Sequence, residues 1–235
     1  MAYIVGLTAT DGCLLTARPA ISFTSKDRVL VETYLRLLGR TNAISSSRSG
    51  SGALVYRTTF RDAALYQWFE SIGLTPRKSL TLGALDAPEQ HLASLVRGLL
   101  DGDGSISNGV WKADTSRRSD YYYEWLRVRF CSASRSHIDW LHSRLRTALS
   151  LRGWITSDSK RKSFATLAFG KQDSIRLLTW IYADAGAPAL SRKRAIWDSY
   201  ARRRLSVGAS RARTPQAALL ACSLGEWRNR NTRQP

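Results

Sequence analysis

The strongest constraint on this chain is an internal repeat. Gly6-Leu7-Thr8-Ala9-Thr10-Asp11-Gly12 and Gly98-Leu99-Leu100-Asp101-Gly102-Asp103-Gly104 each place Gly-Leu three residues before Asp-Gly, and their acids Asp11 and Asp103 stand 92 residues apart. Each copy follows apolar residues at helical spacing and ends in Asp-Gly, where a glycine can take the positive φ of a helix C-cap. At 235 residues the chain is long enough for two small related halves, and the repeat says that it is built that way.

The residues after each copy obey one plan. Behind the first come two short β-prone runs, Cys13–Arg18 and Ala20–Ser25, split by Pro19, with Ile21 and Phe23 alternating against Ser22 and Thr24. A helix is predicted over 26–39, stopped by Gly39, then a Ser/Gly-rich hairpin turn over Ser45–Gly52, a strand over Leu54–Phe60 and a helix over Arg61–Ile72. Behind the second copy, strands are predicted over Ser105–Lys112 and Tyr122–Ser132, a helix over Arg135–Leu149, strands over Trp154–Ser157 and Phe164–Phe169, and a helix over Gln172–Ala183. Both halves leave their last helix by a run from Gly through Pro to Arg-Lys, ending at Lys78 and Lys193. The expected organisation is a first repeat with its linker over 1–88, a second repeat over 89–204 and a basic tail over 205–235, solvated or partly disordered, with one candidate helix at Pro215–Leu224. In class this is α+β, two pseudo-symmetric αββαββα repeats.

Charge narrows the partner. The chain carries 36 Lys+Arg against 18 Asp+Glu, a net +18, in the range of nucleic-acid binders. Residues 1–104 hold 11 basic and 9 acidic side chains, whereas 105–235 hold 25 and 9, so polyanion contact should lean on the second part. Cys13, Cys131 and Cys222, like His91, His137 and His142, lack the spacing of a zinc site or a disulfide framework. No apolar run is long enough for a membrane span, and the opening residues lack a basic leader. An intracellular protein, cytoplasmic or organellar and without membrane association, is expected.

The duplicated acids point to the chemistry. A carboxylate at a helix C-terminus faces the negative end of the macrodipole at a cost of about 0.3–1 kcal/mol, so something must offset two such placements. Gly6 and Thr10, like Gly98 and Gly102, lie four apart on one helix face, letting two helices pack at close backbone distance. Packed in parallel about a pseudo-twofold axis, they would set Asp11 beside Asp103. Paired carboxylates repel unless a divalent cation such as Mg2+ or Mn2+ binds them, and metal held by carboxylates plus substrate phosphates suits in-line phosphodiester hydrolysis.

Over about residues 1–204 these motifs resemble those of a single-chain LAGLIDADG homing endonuclease. That resemblance implies a monomer with two antiparallel sheets forming a saddle astride double-stranded DNA, motif helices packed at the centre, and metal-dependent cleavage of both strands of a long target, as in intron homing. It matches Asp11 and Asp103 to the metal-binding acids, Gly12 and Gly104 to the glycines after them, also counted with the metal site, and Lys78 and Lys193 to basic residues near the scissile phosphates. The chain departs at Ala9, where the motif often has an acid and the second copy keeps Asp101.

Alternation supplies a reading surface. In Tyr122–Ser132, Leu126, Val128 and Phe130 can face the core while Arg127 and Arg129 face outward; Ser22, Thr24 and Arg57 hold comparable positions in the first half. Arginine reads guanine bidentately in the major groove, which admits a two-stranded ribbon. The run Lys160-Arg161-Lys162 is assigned to phosphate contact, and Trp111, Trp140, Trp180 and Trp197 are assigned to the core. Two rival readings are a noncatalytic DNA-binding protein or RNA-splicing maturase on the same fold, and an RNA-associated basic protein, which would leave the duplicated motif unexplained. The terminal residues of a self-splicing intein are not found at the chain ends, so an intein is not expected.

Overall fold

A computed structural model describes residues 1–112, 122–157 and 164–211, with side chains up to 204. The first half runs α1 (Ala2–Asp11), β1 (Gly12–Leu15), β2 (Ala20–Ser25), α2 (Arg28–Leu37), β3 (Ser45–Arg48), β4 (Leu54–Phe60) and α3 (Ala63–Ser71). A 3-10 turn at Glu89–His91 leads into α4 (Leu92–Asp101), β5 (Ser105–Lys112), β6 (Tyr122–Ser132), α5 (Arg135–Leu149), β7 (Trp154–Ser157), β8 (Ala165–Phe169) and α6 (Lys171–Ile181), and a final helix, α7, covers Ser191–Arg211. The fold is α+β with two antiparallel four-stranded sheets, ordered β1-β2-β4-β3 and β5-β6-β8-β7. The same strand order in both makes the halves structural repeats.

Two compact units are present. Met1–Lys193 holds both sheets, and the second begins at Arg194. Within the second, Arg194 pairs with Asp198 one helical turn on, at 2.8 Å, and the rings of Trp197 and Tyr200 stack.

The core of the large unit is the pair α1 and α4. Tyr3 through Ala9 are all buried, as are Leu92 and every residue from Leu95 to Asp101. A helix enclosed on all sides belongs in a core, and here each sheet lays its apolar face against the pair. In β6 the alternation is as expected: Leu126, Val128 and Phe130 are buried, and Arg127 and Arg129 between them are half-buried on the other face. Asp62 caps α3 by accepting the Leu65 N–H at 2.9 Å.

Three expectations need correction. Ser45–Arg48 is a strand, and the hairpin turn is confined to the residues after it, where Gly52 has φ 79°. These four polar residues are ordered as an edge strand by the ladder they share with β4, a tertiary effect that local propensity does not carry. The glycines after the motif acids do not act through positive φ: Gly12 is extended, at φ −89°. A Cβ on Gly12 would lie 2.7 Å from Thr8 Cα, and one on Gly104 2.7 Å from Leu100 Cα, so close return of the chain onto its own helix, not turn conformation, demands glycine. The four tryptophans are not core: Trp111 is 50% exposed, and Trp140, Trp180 and Trp197 are half-buried, because large rings at sheet and helix margins bury one face only. Helix α7 was also not anticipated; it runs past Arg204 to Arg211. Pro215–Leu224 lies outside the described residues.

Candidate active centre and nucleic-acid interface

Glycine sets how closely the motif helices approach. A Cβ built on Gly6 would lie 2.7 Å from Leu99 N and against Leu95 O; one on Gly98 would lie 3.0 Å from Gly6 Cα and against Tyr3 O. Backbone therefore touches backbone, as the spacing of small residues implied. One turn further, Gly102 faces Thr10, whose hydroxyl turns inward to the Leu7 and Gly6 carbonyls at 2.9 and 3.2 Å.

This contact brings the C-terminal ends of α1 and α4 together, and with them Asp11 and Asp103. Burial first, and then the Asp103 charge, push the Asp11 carboxyl up to about 7, against the opposing pull of Lys193 and Lys78. Desolvation also raises Asp103, with Lys78 and Lys193 opposing, although its side chain reaches solvent. Among the described residues, neither carboxylate accepts a hydrogen bond or joins an ion pair. Two repelling carboxylates with unspent oxygens are a donor set for a hard divalent cation.

Lys78 and Lys193 are 6% and 3% exposed and occupy corresponding places. Lys78 Nζ donates to the Gly12 carbonyl at 2.6 Å. Lys193 Nζ lies against four carbonyls, Leu100 at 2.6 Å, Asp101 at 2.8 Å, Gly102 at 3.1 Å and Gly104 at 2.7 Å. Leu100 and Asp101 close α4, Gly102 caps it and Gly12 caps α1, and a helix leaves its last carbonyls unpaired, so the buried ammonium groups neutralise the negative ends of α1 and α4 just where the acids sit. Sequence reasoning asked for a counter-charge there and assigned it to metal alone; the lysines supply part of it. Burial lowers both ammonium pKa values, that of Lys193 to about 8. The Gly12 and Gly104 carbonyls, counted with the metal site on the resemblance, accept hydrogen bonds from these ammonium groups.

Asp101, the acid that the first copy replaces by Ala9, is used for structure. It is 1% exposed and accepts from Tyr3 Oη and from Leu190 N–H, both at 2.8 Å. Arg97, buried nearby, donates to the Ile181 and Pro188 carbonyls. This asymmetric network, invisible in the sequence, ties α1 and α4 to the segment preceding Lys193.

The halves also reach across to each other. The linker between them is held on α5, where Ser134 and Ser136 donate to Leu82 O at 2.5 and 3.0 Å and His137 to Gly83 O at 2.9 Å. In return, Arg192 clamps Asp27, at the start of α2, through both carboxylate oxygens.

The candidate reading residues divide. Arg127 and Arg129 share the outward face of β6. Arg57 donates to Thr24 Oγ1 at 3.1 Å, and Thr59 to Ser22 Oγ at 3.2 Å. Ser22, on the same face by register, is only 7% exposed. Lys160, Arg161 and Lys162 lie outside the described residues. Missed altogether was the aromatic character of the second sheet, where Trp111, Tyr123 and Trp154 are exposed.

No family model matches the chain. Among curated proteins it matches an A-type ATP synthase subunit of Methanopyrus kandleri, 25% identical over 121 residues, half of this chain but 12% of that protein's length. Solved structures align much further. Meganuclease I-SmaMI bound to uncleavable DNA covers 97% of this chain and 98% of its own, with TM-score 0.57 and 14% identity. The homing endonuclease I-DmoI, in complex with DNA and Ca, covers 84% and 96%, with TM-score 0.53 and 16% identity. I-WcaI bound to its DNA recognition sequence covers 77% and 78%, with TM-score 0.51 and 11% identity. The likeness is one of fold, and it places this chain, with its two repeated halves and paired motif helices, in the architecture of these homing endonucleases.

Proposed function

We propose that this protein is a LAGLIDADG-type homing endonuclease, a site-specific nuclease that hydrolyses both strands of a long double-stranded DNA target with Mg2+ or Mn2+ as cofactor. It acts as a single chain whose pseudo-symmetric halves are residues 1–88 and 89–204, with 205–235 as a basic extension. One observation carries this reading: Asp11 and Asp103, from two halves of one chain, meet at the ends of closely packed helices with no protein partner for either carboxylate among the described residues.

In this reading Asp11 and Asp103 hold the cation jointly. Bound there, it would polarise a scissile phosphate and activate a water. Lys78 and Lys193 hold the helix ends that present the acids, and their positive charge offsets the negative charge of the incoming phosphates. The outward faces of the two sheets, with Thr24 and Arg57 on one and Arg127 and Arg129 on the other, contact the target, and Ser22, on the same face, holds the Thr59 hydroxyl beside it. Lys160, Arg161 and Lys162 contribute phosphate contacts. Pairing one acid from each half gives one centre for two strands. The DNA-bound states of I-SmaMI and I-WcaI support the choice of duplex DNA as partner.

The test is cleavage of DNA spanning the insertion point of the protein's own gene, joined as if the gene were absent. Both strands should be cut with Mg2+ and neither with chelator. An uncut junction under metal would overturn the reading.

A further inference from the structure

The second sheet differs from the first in one respect that cleavage does not require. Its outward face carries Trp111, Tyr123, Trp125 and Trp154, where the matching face of the first sheet carries no aromatic ring among Cys13, Leu15, Ser22, Thr24, Val55, Arg57 and Thr59. The Arg127 guanidinium lies between two of these rings, 5.7 Å from the Trp125 centroid and 5.6 Å from that of Trp154. Each ring comes from a different strand, Trp125 from β6 and Trp154 from the edge strand β7.

The surroundings are built to hold these rings. Gly109 pairs with Trp125 across β5 and β6, and a Cβ there would fall on the indole, 2.9 Å from its Cε2; only glycine leaves room for this ring. Trp111 supports Trp125 from the side, 6.4 Å between centroids, and itself packs on Tyr123 at 4.8 Å. Trp154 pairs with Ala168 and reaches within 3.9 Å of a Cβ position on Gly170, so the smallest side chains lie between it and Arg127.

Aromatic faces attract a guanidinium without using its N–H groups. Among the described residues Arg127 forms no hydrogen bond or ion pair, so all five donors remain free. A long flexible side chain fixed in place with its donors unspent is prepared for a planar two-acceptor edge, and in a DNA major groove that edge is guanine O6 and N7. By contrast, Arg57 on the first sheet spends its Nε on Thr24.

We propose that Trp125 and Trp154 are positioning residues that hold Arg127 as a guanine reader, fixing one guanine on the second-half side of the target. This inference rests on the DNA-binding reading above. The rings act through the arginine and do not themselves stack on bases.

The experiment selects bound duplexes from a randomised DNA pool in Ca2+, where binding is scored without cutting, using the parent and single variants. The parent should enrich a guanine that Arg127→Ala no longer prefers, a loss of roughly 5- to 150-fold at that position, the equivalent of 1–3 kcal/mol. Arg127→Lys should keep the salt dependence of binding, because the charge is kept, yet lose the guanine preference. Trp154→Ala, on an exposed edge strand, should keep the parent melting temperature and relax preference at the same position alone. Added to Arg127→Ala it should cost nothing further, and Trp154→Phe should restore most of the preference. Gly109→Ala, which displaces the Trp125 ring, should copy Trp154→Ala. If the parent enriches a guanine through Arg127 but Trp154→Ala leaves it untouched, the clamp is wrong while DNA recognition stands. Affinity lost evenly over all sequences in Trp154→Ala would make the ring a stacking surface and overturn the positioning role. A parent that enriches nothing overturns the DNA-binding reading and this inference with it.

Discussion

Asp11 and Asp103 are inseparable from the two lysines beside them. Asp11→Asn or Asp103→Asn should abolish double-strand cleavage while DNA binding, measured by titration, keeps its affinity and salt dependence, because a ligand is removed but no basic group is. The raised Asp11 pKa has a second consequence. In the folded, metal-free protein Asp11 keeps its proton to about pH 7, while in the unfolded chain it releases it near 3.8. Across that window the folded state binds more protons, so this residue's contribution to stability falls as pH rises. Asp11→Asn should therefore stabilise metal-free protein relative to the parent by an amount that grows from pH 3.8 to about 7 and then levels off; thermal melts in chelator check this. Added Mg2+ should reverse the order near neutral pH, since cation and proton compete for the same carboxyl. The lysines should also differ. Lys193 lies against four carbonyls and Lys78 against one, and each buried acceptor stranded costs about 1–3 kcal/mol. Lys193→Met should thus lower the melting temperature well beyond Lys78→Met.

At the level of helices and strands, the glycine contact between α1 and α4 carries the architecture. Gly98→Leu, pressing side-chain atoms into the Tyr3 and Gly6 backbone, should cost at least the roughly 1–3 kcal/mol typical of overpacking, seen as a lower melting temperature and denaturation midpoint; an unchanged midpoint would mean that the helices can separate. Much of this level was legible in the sequence. The Gly-Leu and Asp-Gly repeat locates both motif helices, and strands are expected over Leu54–Phe60 and Tyr122–Ser132 with the bounds observed, the second from its alternation, because period-two burial and small-residue spacing are written into residue order. What stayed hidden depends on partners distant in sequence. Ser45–Arg48 is a strand only beside β4, Asp101 is a structural acid only because Tyr3 and Leu190 reach it, and the two lysines became helix caps only once the exit segments folded back. The repeat also leads one to expect Asp11 beside Asp103, whereas the hydrogen bonds that the Gly12 and Gly104 carbonyls accept from the lysines have no local signature.

Over the whole molecule, charge is unevenly divided. With 25 basic and 9 acidic residues in 105–235 against 11 and 9 before, the second part should dominate phosphate contact. Neutralising Lys160, Arg161 and Lys162 should weaken binding to every sequence and flatten the slope of log affinity against log salt, whereas neutralising Arg18, Lys26 and Arg28 in the first half should change the slope less; equal changes would refute the asymmetry. The crossing of the halves bears on a different matter. Because the linker is seated on α5 and Arg192 is clamped on the start of α2, each half carries the docking site for the other's exit. A hybrid joining one half of this chain to the opposite half of a relative will inherit mismatched seats at both crossings. Its designer should take the linker from whichever parent donates α5, and residues 186–193 from whichever donates α2, so that modularity here follows the seats and not the repeat boundary.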